Sequence, residues 1–267
     1  MRYAIGPLCT GAGPVCSGVV IDQAAELSTF VAGFSASLSS HAPYRPPTPG
    51  ERDDVAAAVL AFVAGRSFSP GGFATAEYGR YAVLVHERGW GLYAVDRGAP
   101  PGLAVQVPHP NSDLHTEKVG VAVFTRTPSV LLVAGAHRKA GRGAADVAHR
   151  EDSVFHAVAT GLALPQVQLH GFQDAALPGA EVVVSPGAGA PGPAVRALAA
   201  ELADAGFATR RAWADDCRRL AGTRNRQGRA AARLGTVFAH VEVNRTVRED
   251  PTRRVELARV VSRISSA

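Results

Sequence analysis

The feature that most constrains this chain is an alternation that sets in near residue 100. Short β-prone runs take turns with stretches of helical period. Leu103–Val107 (LAVQV), Ser129–Ala134 (SVLLVA), Val167–Leu169, Ala180–Val184, Phe207–Ala212 and Thr236–Val243 read as strands. Between and after them, helical patterns cover Thr116–Phe124, Asp152–Leu162, Pro193–Ala205 and Pro251–Val261. In the third of these, Val195, Leu198, Ala199 and Leu202 fall in register and Gly206 ends the run. Strand–helix alternation of this kind predicts a three-layer α/β fold: a mostly parallel or mixed central sheet with helices on both faces.

Upstream the pattern differs. Tyr81–His86 and Gly91–Val95 are β-prone and separated by turn residues, so strands precede the alternating region. Thr48-Pro-Gly-Glu51 has the form of a capping box and leads into a helix over Asp53–Ala64, with Val55, Val59, Leu60 and Val63 on one face. Residues 1–50 otherwise read as irregular, and Ser28–Leu38 fits a short helix or a strand. The expected organisation is an N-terminal embellishment over 1–75 packed on an α/β domain spanning 76–267.

Composition excludes several function classes. With 46% apolar and 19% charged residues the chain has material for a large core. The net charge of +5 comes with no long basic run and no basic stripe interleaved with aromatics, which argues against nucleic acid and fits a small anionic or peptide-like substrate. No apolar run reaches the ~18 residues a membrane span needs. No secretory leader is evident, so the cytoplasm is the expected location. Cys9, Cys16 and Cys217 are odd in number and lack CxxC spacing, which fits free thiols better than a disulfide scaffold or a zinc ribbon, though Cys9 and Cys16 would be able to pair in an exported protein.

In α/β sheets chemistry sits where strands end. After LAVQV107 comes Pro-His109-Pro-Asn-Ser-Asp113-Leu-His-Thr116-Glu117. After the SVLLVA run comes His137-Arg138, and the VQL run ends in His170. Glu242 interrupts the apolar FAHVEV strand. A catalytic zinc site needs three N/O ligands and one open position. His109, a nearby carboxylate and a histidine from another strand end supply such a set. Asp113, inside the loop, is the favoured carboxylate. Glu117 is the alternative, or else a partner of a ligand histidine or of the helix N-terminus. His137 and His170 are the candidate distant histidines, and His115 is a further alternative. Glu242 reads as a general base or as half of a salt bridge. His149 and His156 read as solvated or packed, and His41, His86 and His240 as structural. The Arg218–Arg233 segment lines a pocket or forms a solvated helical face, and Lys139–Ala145 has the composition of a flap.

At these residues the chain resembles the poly-γ-glutamate hydrolases of phage and bacillus and, more distantly, the zinc carboxypeptidases and N-formylglutamate amidohydrolases. His109-Pro-Asn-Ser-Asp113-Leu-His-Thr116 is similar to a His-Gly-Gly-x-x-Glu-x-x-Thr loop, with Asp for Glu and no double glycine. Val167-Gln-Leu-His170-Gly171 resembles the later His-Gly strand end, Arg224-Asn225-Arg226 the Asn-Arg element, and His240-Val-Glu242 the final Gln-Leu-Glu strand. The resemblance implies one Zn2+ held by His109, Asp113 and His170, with Glu242 as base. It implies Arg138 or Arg226 as the holder of a substrate carboxylate, beside His137 and Asn225. The implied activity is zinc-dependent hydrolysis of an amide or peptide-like bond, in a γ-glutamyl or N-acyl amino acid substrate. The competing expectations are a metal-independent hydrolase and a non-catalytic binding module on the same fold.

Overall fold

The computed structural model describes residues 22–69 and 71–264. Two helices come first, α1 (Gln23–Ser37) and α2 (Pro49–Val63), followed by β1 (Phe73–Tyr78), β2 (Tyr81–His86), β3 (Leu92–Asp96) and β4 (Leu103–Val107). Then α3 (Thr116–Phe124), β5 (Ser129–Val133), α4 (Val154–Gly161), β6 (Gln166–Phe172), β7 (Val182–Ser185), α5 (Pro193–Asp204) and β8 (Thr209–Arg211) alternate. The described chain closes with α6 (Arg226–Leu234), β9 (Phe238–Asn244), α7 (Arg245–Glu249) and α8 (Pro251–Val261). Among the described residues all nine strands belong to one mixed sheet, in the order β1-β2-β3-β5-β4-β6-β9-β7-β8. The three-layer α/β expectation holds, and both helix-bearing faces are present.

Four central strands, β5, β4, β6 and β9, run parallel. The chain leaves β4, crosses by α3 to β5 on one side, and returns by α4 to β6 on the other. α3 packs into the core on one face, through Val119, Val123 and Phe124, and α4 into the core on the other, through Val154, Phe155 and Val158. Reversing direction while changing face keeps both crossovers of one hand. It also opens a crevice at the carboxyl ends of β4 and β6, the place where such sheets bind ligands.

Strand periodicity divides the two faces. Val105, Val107, Val167, Leu169, Val241 and Val243 point into the larger core, beneath α1, α3, α5 and α8. The alternate residues Gln106, Gln166, Gln168, His170, His240 and Glu242 point the other way, and all are buried. One face of the sheet centre is therefore a patch of buried polar groups, flanked under α2 and α4 by the apolar Leu84, Tyr93, Val95, Val130 and Leu132.

Local chemistry explains most boundaries. Thr48 caps α2 as a full capping box with Glu51. The stretch Ser28–Ser37 is helical, within α1, where Asp22 caps the start by accepting from Ala24 and Ala25 N–H, and Leu38 is the extended residue that ends it. α4 starts at its cap Ser153 and β6 runs on to Phe172, beyond the short strand expected there. β1, α6 and α7 are additions to the sequence expectation. No helix among the described residues is long and apolar enough to cross a membrane. Cys9 and Cys16 lie outside the described residues, and Cys217 is a buried free thiol.

Arg248 of α7 locks the site end of the sheet together. It is a fully buried arginine whose guanidinium donates to three main-chain carbonyls: Val243 at the end of β9 (2.9 Å), Phe172 at the end of β6 (3.0 Å), and Leu114 in the loop after β4. Gly171 leaves room for it, since a Cβ there would sit 2.5 Å from the guanidinium carbon. Arg248→Met leaves these buried carbonyls without their donor. The expected loss of stability is on the order of 3 kcal/mol, read as a lower urea midpoint with an unchanged slope. Arg248→Lys recovers only part of it, because an ammonium lacks the planar fork that spans the three acceptors.

Candidate metal centre

The loop after β4 turns tightly on itself. Asp113 N–H donates to the His109 carbonyl (2.9 Å), Thr116 Oγ1 donates to the Asp113 carbonyl (2.7 Å), and Asn111 and His115 adopt positive φ. Asn111 Nδ2 anchors the loop to the Leu38 carbonyl past the end of α1 (2.7 Å). This winding brings the side chains of His109 and Asp113 face to face, with His109 Nδ1 3.1 Å from Asp113 Oδ2. From β6, His170 Nδ1 approaches the same oxygen to 3.6 Å, and Gly171 N–H donates to it at 3.2 Å. The two imidazoles meet edge to face with centroids 4.8 Å apart.

His109, Asp113 and His170 are all buried, and one ligand atom from each lies within 4.8 Å of the others. The far nitrogens are both engaged. His109 Nε2 lies 2.8 Å from Asp146 Oδ1, and His170 Nε2 lies 2.7 Å from Gln168 Oε1. Both partners are acceptors, so each Nε2 carries a proton and each neutral ring has its lone pair on Nδ1, facing Asp113. Two nitrogen lone pairs and a carboxylate oxygen aimed at one point repel one another unless a cation or proton sits between them. The donor set fits a divalent ion, with Asp146 and Gln168 as the outer partners that orient its histidines.

The ionisation equilibria follow from the same contacts. Burial alone would lower the His109 pKa, but hydrogen bonds to Asp113 and Asp146 overcome it and hold the pKa above the ordinary 6.5. Burial would raise Asp113, and its bonds to His109 and His170 instead hold it well below the usual carboxylate range. Asp146 behaves alike: burial opposes ionisation, but His109, His149 and Arg138 favour the charged form. His170 goes the other way, lowered to about 4 by burial and by neighbouring His240.

Asp146 gathers a second tier of groups. Its Oδ2 accepts from Arg138 (2.7 Å) and lies 3.2 Å from His149 Nδ1, while Arg138 also reaches to 3.2 Å from His109 Nδ1. The 139–145 loop, with a flap-like composition, packs inward: Ala140 and Ala145 are buried and Gly141, at φ +54°, lies against the Tyr44 carbonyl. In the parallel β6–β9 pair His170 stands beside Glu242, and Gln168 beside His240. His240 Nε2 lies 3.3 Å from Glu242 Oε1, and its ring sits tilted against that of His170 with centroids 4.4 Å apart. Glu242 Oε2 is buried without a hydrogen-bond partner. His109, His170, His240 and Glu242 line a cavity of about 390 Å³ together with Arg138, His149, Arg218, Arg219 and Arg224.

Of the residues singled out in the sequence, His109, Asp113, His170, Glu242, Arg138 and Asn225 gather around this cavity. Three others do not. Arg226 opens α6 and pairs with Glu151 (3.2 Å) on the surface; Asn225 turns inward as the helix cap, and Arg224 takes the cavity-facing place. His137 turns back on its own loop, accepting from Lys139 N–H (3.1 Å). Glu117 is buried on α3, with burial raising its pKa, and its nearest histidine is His115 at 3.9 Å and not one of the site pair. Asp146 and Gln168 escaped the sequence reading, and His240 was read there as structural. The signal for Gln168 and His240 was alternation: each is polar at the same parity as His170 or Glu242 in a strand otherwise apolar. Asp146 carried none, since an acid in a Gly- and Arg-rich loop reads as solvated.

A divalent ion at His109 Nδ1 must displace the proton that Asp113 and Asp146 favour there. Affinity for Zn2+ as probe is therefore full above the raised pKa of His109 and falls as the pH drops through it, at a point above 6.5. Below that pH, uptake releases about one proton more than above it. Calorimetry in buffers of different ionisation enthalpy measures this; proton release that does not grow below that point contradicts it.

No protein-family model matches this chain, and no curated protein matches it in sequence. Solved structures to which it is distantly similar include a bacteriophage poly-gamma-glutamate hydrolase (15% identity, 61% of this chain and 82% of that one, TM-score 0.44). An aminopeptidase from Legionella pneumophila is similar at 10% identity over 97% of this chain and 81% of that one, with a TM-score of 0.45. A metallo-carboxypeptidase from Pseudomonas aeruginosa is similar at 12% identity over 82% and 68%, with a TM-score of 0.40. At these scores the likeness is one of coarse architecture, and the chemistry of the site rests on its own residues.

Proposed function

We propose that this protein is a zinc-dependent hydrolase of an amide or peptide-like bond in a small anionic substrate. One observation carries the reading: two imidazole lone pairs and a carboxylate oxygen converge beside a second, unpartnered carboxylate oxygen at the wall of a cavity. His109, Asp113 and His170 hold the ion. Zinc bound by such a set supplies a Lewis acid for the scissile carbonyl and lowers the pKa of water.

The remaining work belongs to side chains. Hydrolysis adds hydroxide to the carbonyl carbon and a proton to the departing nitrogen. Glu242 serves both ends: Oε2 accepts the proton of the attacking water and returns it to the amine as the C–N bond breaks. His240, at Oε1, holds one oxygen of the carboxylate, and Oε2 is left without a partner. Arg138 stands close enough to His109 to stabilise negative charge growing on the carbonyl oxygen. Arg218, Arg219 and Arg224 make part of the cavity lining cationic, which suits a substrate carboxylate such as that of a γ-glutamyl or N-acyl amino acid compound. The role expected of Arg226 as carboxylate holder passes to Arg224.

The test is a panel of peptide and γ-glutamyl amides, each with a free or an amidated carboxylate, assayed with zinc-loaded protein. Chelator abolishes turnover, zinc restores it, and the free carboxylates are preferred. Glu242→Gln lowers kcat about 10²- to 10⁴-fold while one zinc per chain is retained. Turnover that survives the chelator, or that is unchanged in Glu242→Gln, contradicts the assignment. Arg224→Ala raises KM for the free carboxylates and leaves the amidated ones unaffected; an equal effect on both removes Arg224 from substrate binding.

A further inference from the structure

We propose that Gln168 is a positioning residue that fixes the His170 imidazole in its Nε2–H form. Two backbone groups, the Val147 carbonyl and the Gly228 N–H, would set the direction in which Gln168 points. The inference rests on the reading of His109, Asp113 and His170 as a cation site, because it explains how His170 keeps a lone pair at Nδ1.

Gln168 is completely buried in β6, two residues before His170 on the same face. Its Oε1 receives His170 Nε2 at 2.7 Å and also accepts from Asn225 Nδ2. Its Nε2 donates to Gln106 Oε1 (2.7 Å) and Gln227 Oε1 (3.2 Å). An amide can be turned end for end at little cost when its neighbours turn as well, so the sense of such a chain needs an anchor that cannot turn. There are two. Gln227 Nε2 donates to the Val147 main-chain carbonyl (3.0 Å), which is only an acceptor, so Gln227 Oε1 must face Gln168. Asn225 Oδ1 accepts from Gly228 N–H (2.9 Å), which is only a donor, so Asn225 Nδ2 must also face Gln168.

Both anchors demand the same orientation. Gln168 must offer its NH2 to Gln227 and its oxygen to Asn225, and that same oxygen meets His170. Were Gln168 reversed, its NH2 would oppose the Asn225 NH2 and its oxygen would oppose those of Gln227 and Gln106, with no water-exposed escape. An oxygen at His170 Nε2 requires a proton on that nitrogen, which leaves Nδ1 unprotonated in the neutral ring. The start of α6 and the short turn at Val147 thus determine what His170 presents to Asp113. Neither Asn225 nor Gln227 belongs to the proposed ligand set.

The test uses the full chain with 15N-labelled histidine, metal-free and at mildly alkaline pH, where ring nitrogen shifts distinguish the two tautomers. The His170 signals are assigned by their loss in His170→Asn. Asn225→Asp is the sharper variant: it keeps the oxygen that caps α6 and replaces the donor facing Gln168 by a second oxygen. Gln168→Met, which has no oxygen to offer, is the second variant. Wild-type His170 is expected with its proton on Nε2. In both variants the proton moves at least partly to Nδ1, and zinc affinity, read by competition with a chelating dye, falls about 10- to 100-fold with one zinc still bound at saturation. If the Nε2–H signature persists in a folded variant and zinc affinity changes by less than about twofold, Gln168 does not set the tautomer, while the cation site stands. If the signature is lost in the variants but wild-type protein takes up no zinc, the role of Gln168 in setting the tautomer stands and the cation site falls.

Discussion

A single carboxylate oxygen, Asp113 Oδ2, is the point at which the working end of this protein is joined. It meets His109 from its own loop and His170 and Gly171 N–H from β6. A buried carboxylate is costly unless its lone pairs are taken up, so burying Asp113 requires the loop after β4 and the end of β6 to approach. Arg248 works in the same place through the main chain, tying the carbonyls of Leu114, Phe172 and Val243. Together an anion and a cation, both buried, fix the relative position of three strand ends. A shift of any one would strip partners from a charge with no water at hand.

That arrangement is possible because the sheet centre is asymmetric. On one face β4, β6 and β9 present Val and Leu to α3 and α8; on the other they present glutamines, histidines and Glu242. The apolar face contributes the burial that drives folding. The polar face contributes position, since hydrogen bonds are directional and a buried network tolerates few arrangements. The Gln106, Gln166, Gln168 and Gln227 amides are worth little as net stability, but they admit one sense of orientation, and that sense reaches His170.

The architecture was legible because its signal is periodic. Strands buried on both faces read as apolar runs, and helices such as Pro193–Asp204 place Val195, Leu198 and Leu202 on one side. Two of the unseen elements lack that signal for physical reasons. β1 is an edge strand with half-exposed residues, so nothing forces its side chains to alternate. α6 buries Gln227, Gly228, Ala230 and Ala231, a face of polar and small side chains that no count of large apolar residues detects. The donors were legible by location, since His109 and His170 terminate parallel strands. Their partners were not, because Asp146 comes from a loop whose path the sequence does not specify. The Arg224–Arg226 stretch was misjudged by two residues, as Asn225 caps α6 and so decides which arginine faces inward.

The distribution of satisfied and unsatisfied atoms separates support from chemistry within the polar face. Along β6 and β9 the side chains of Gln166, Gln168, His170 and Asn244 have partners, while His240 Nδ1 and Glu242 Oε2 have none. Buried polar atoms are seldom left without partners, because each costs the desolvation it suffers. Here the two unpaired atoms belong to neighbours on one face of β9, both lining the cavity and both beside His170. The fold pairs the amides of Gln106, Gln166 and Gln168 on this face and leaves one carboxylate oxygen of a cavity-lining residue without a partner.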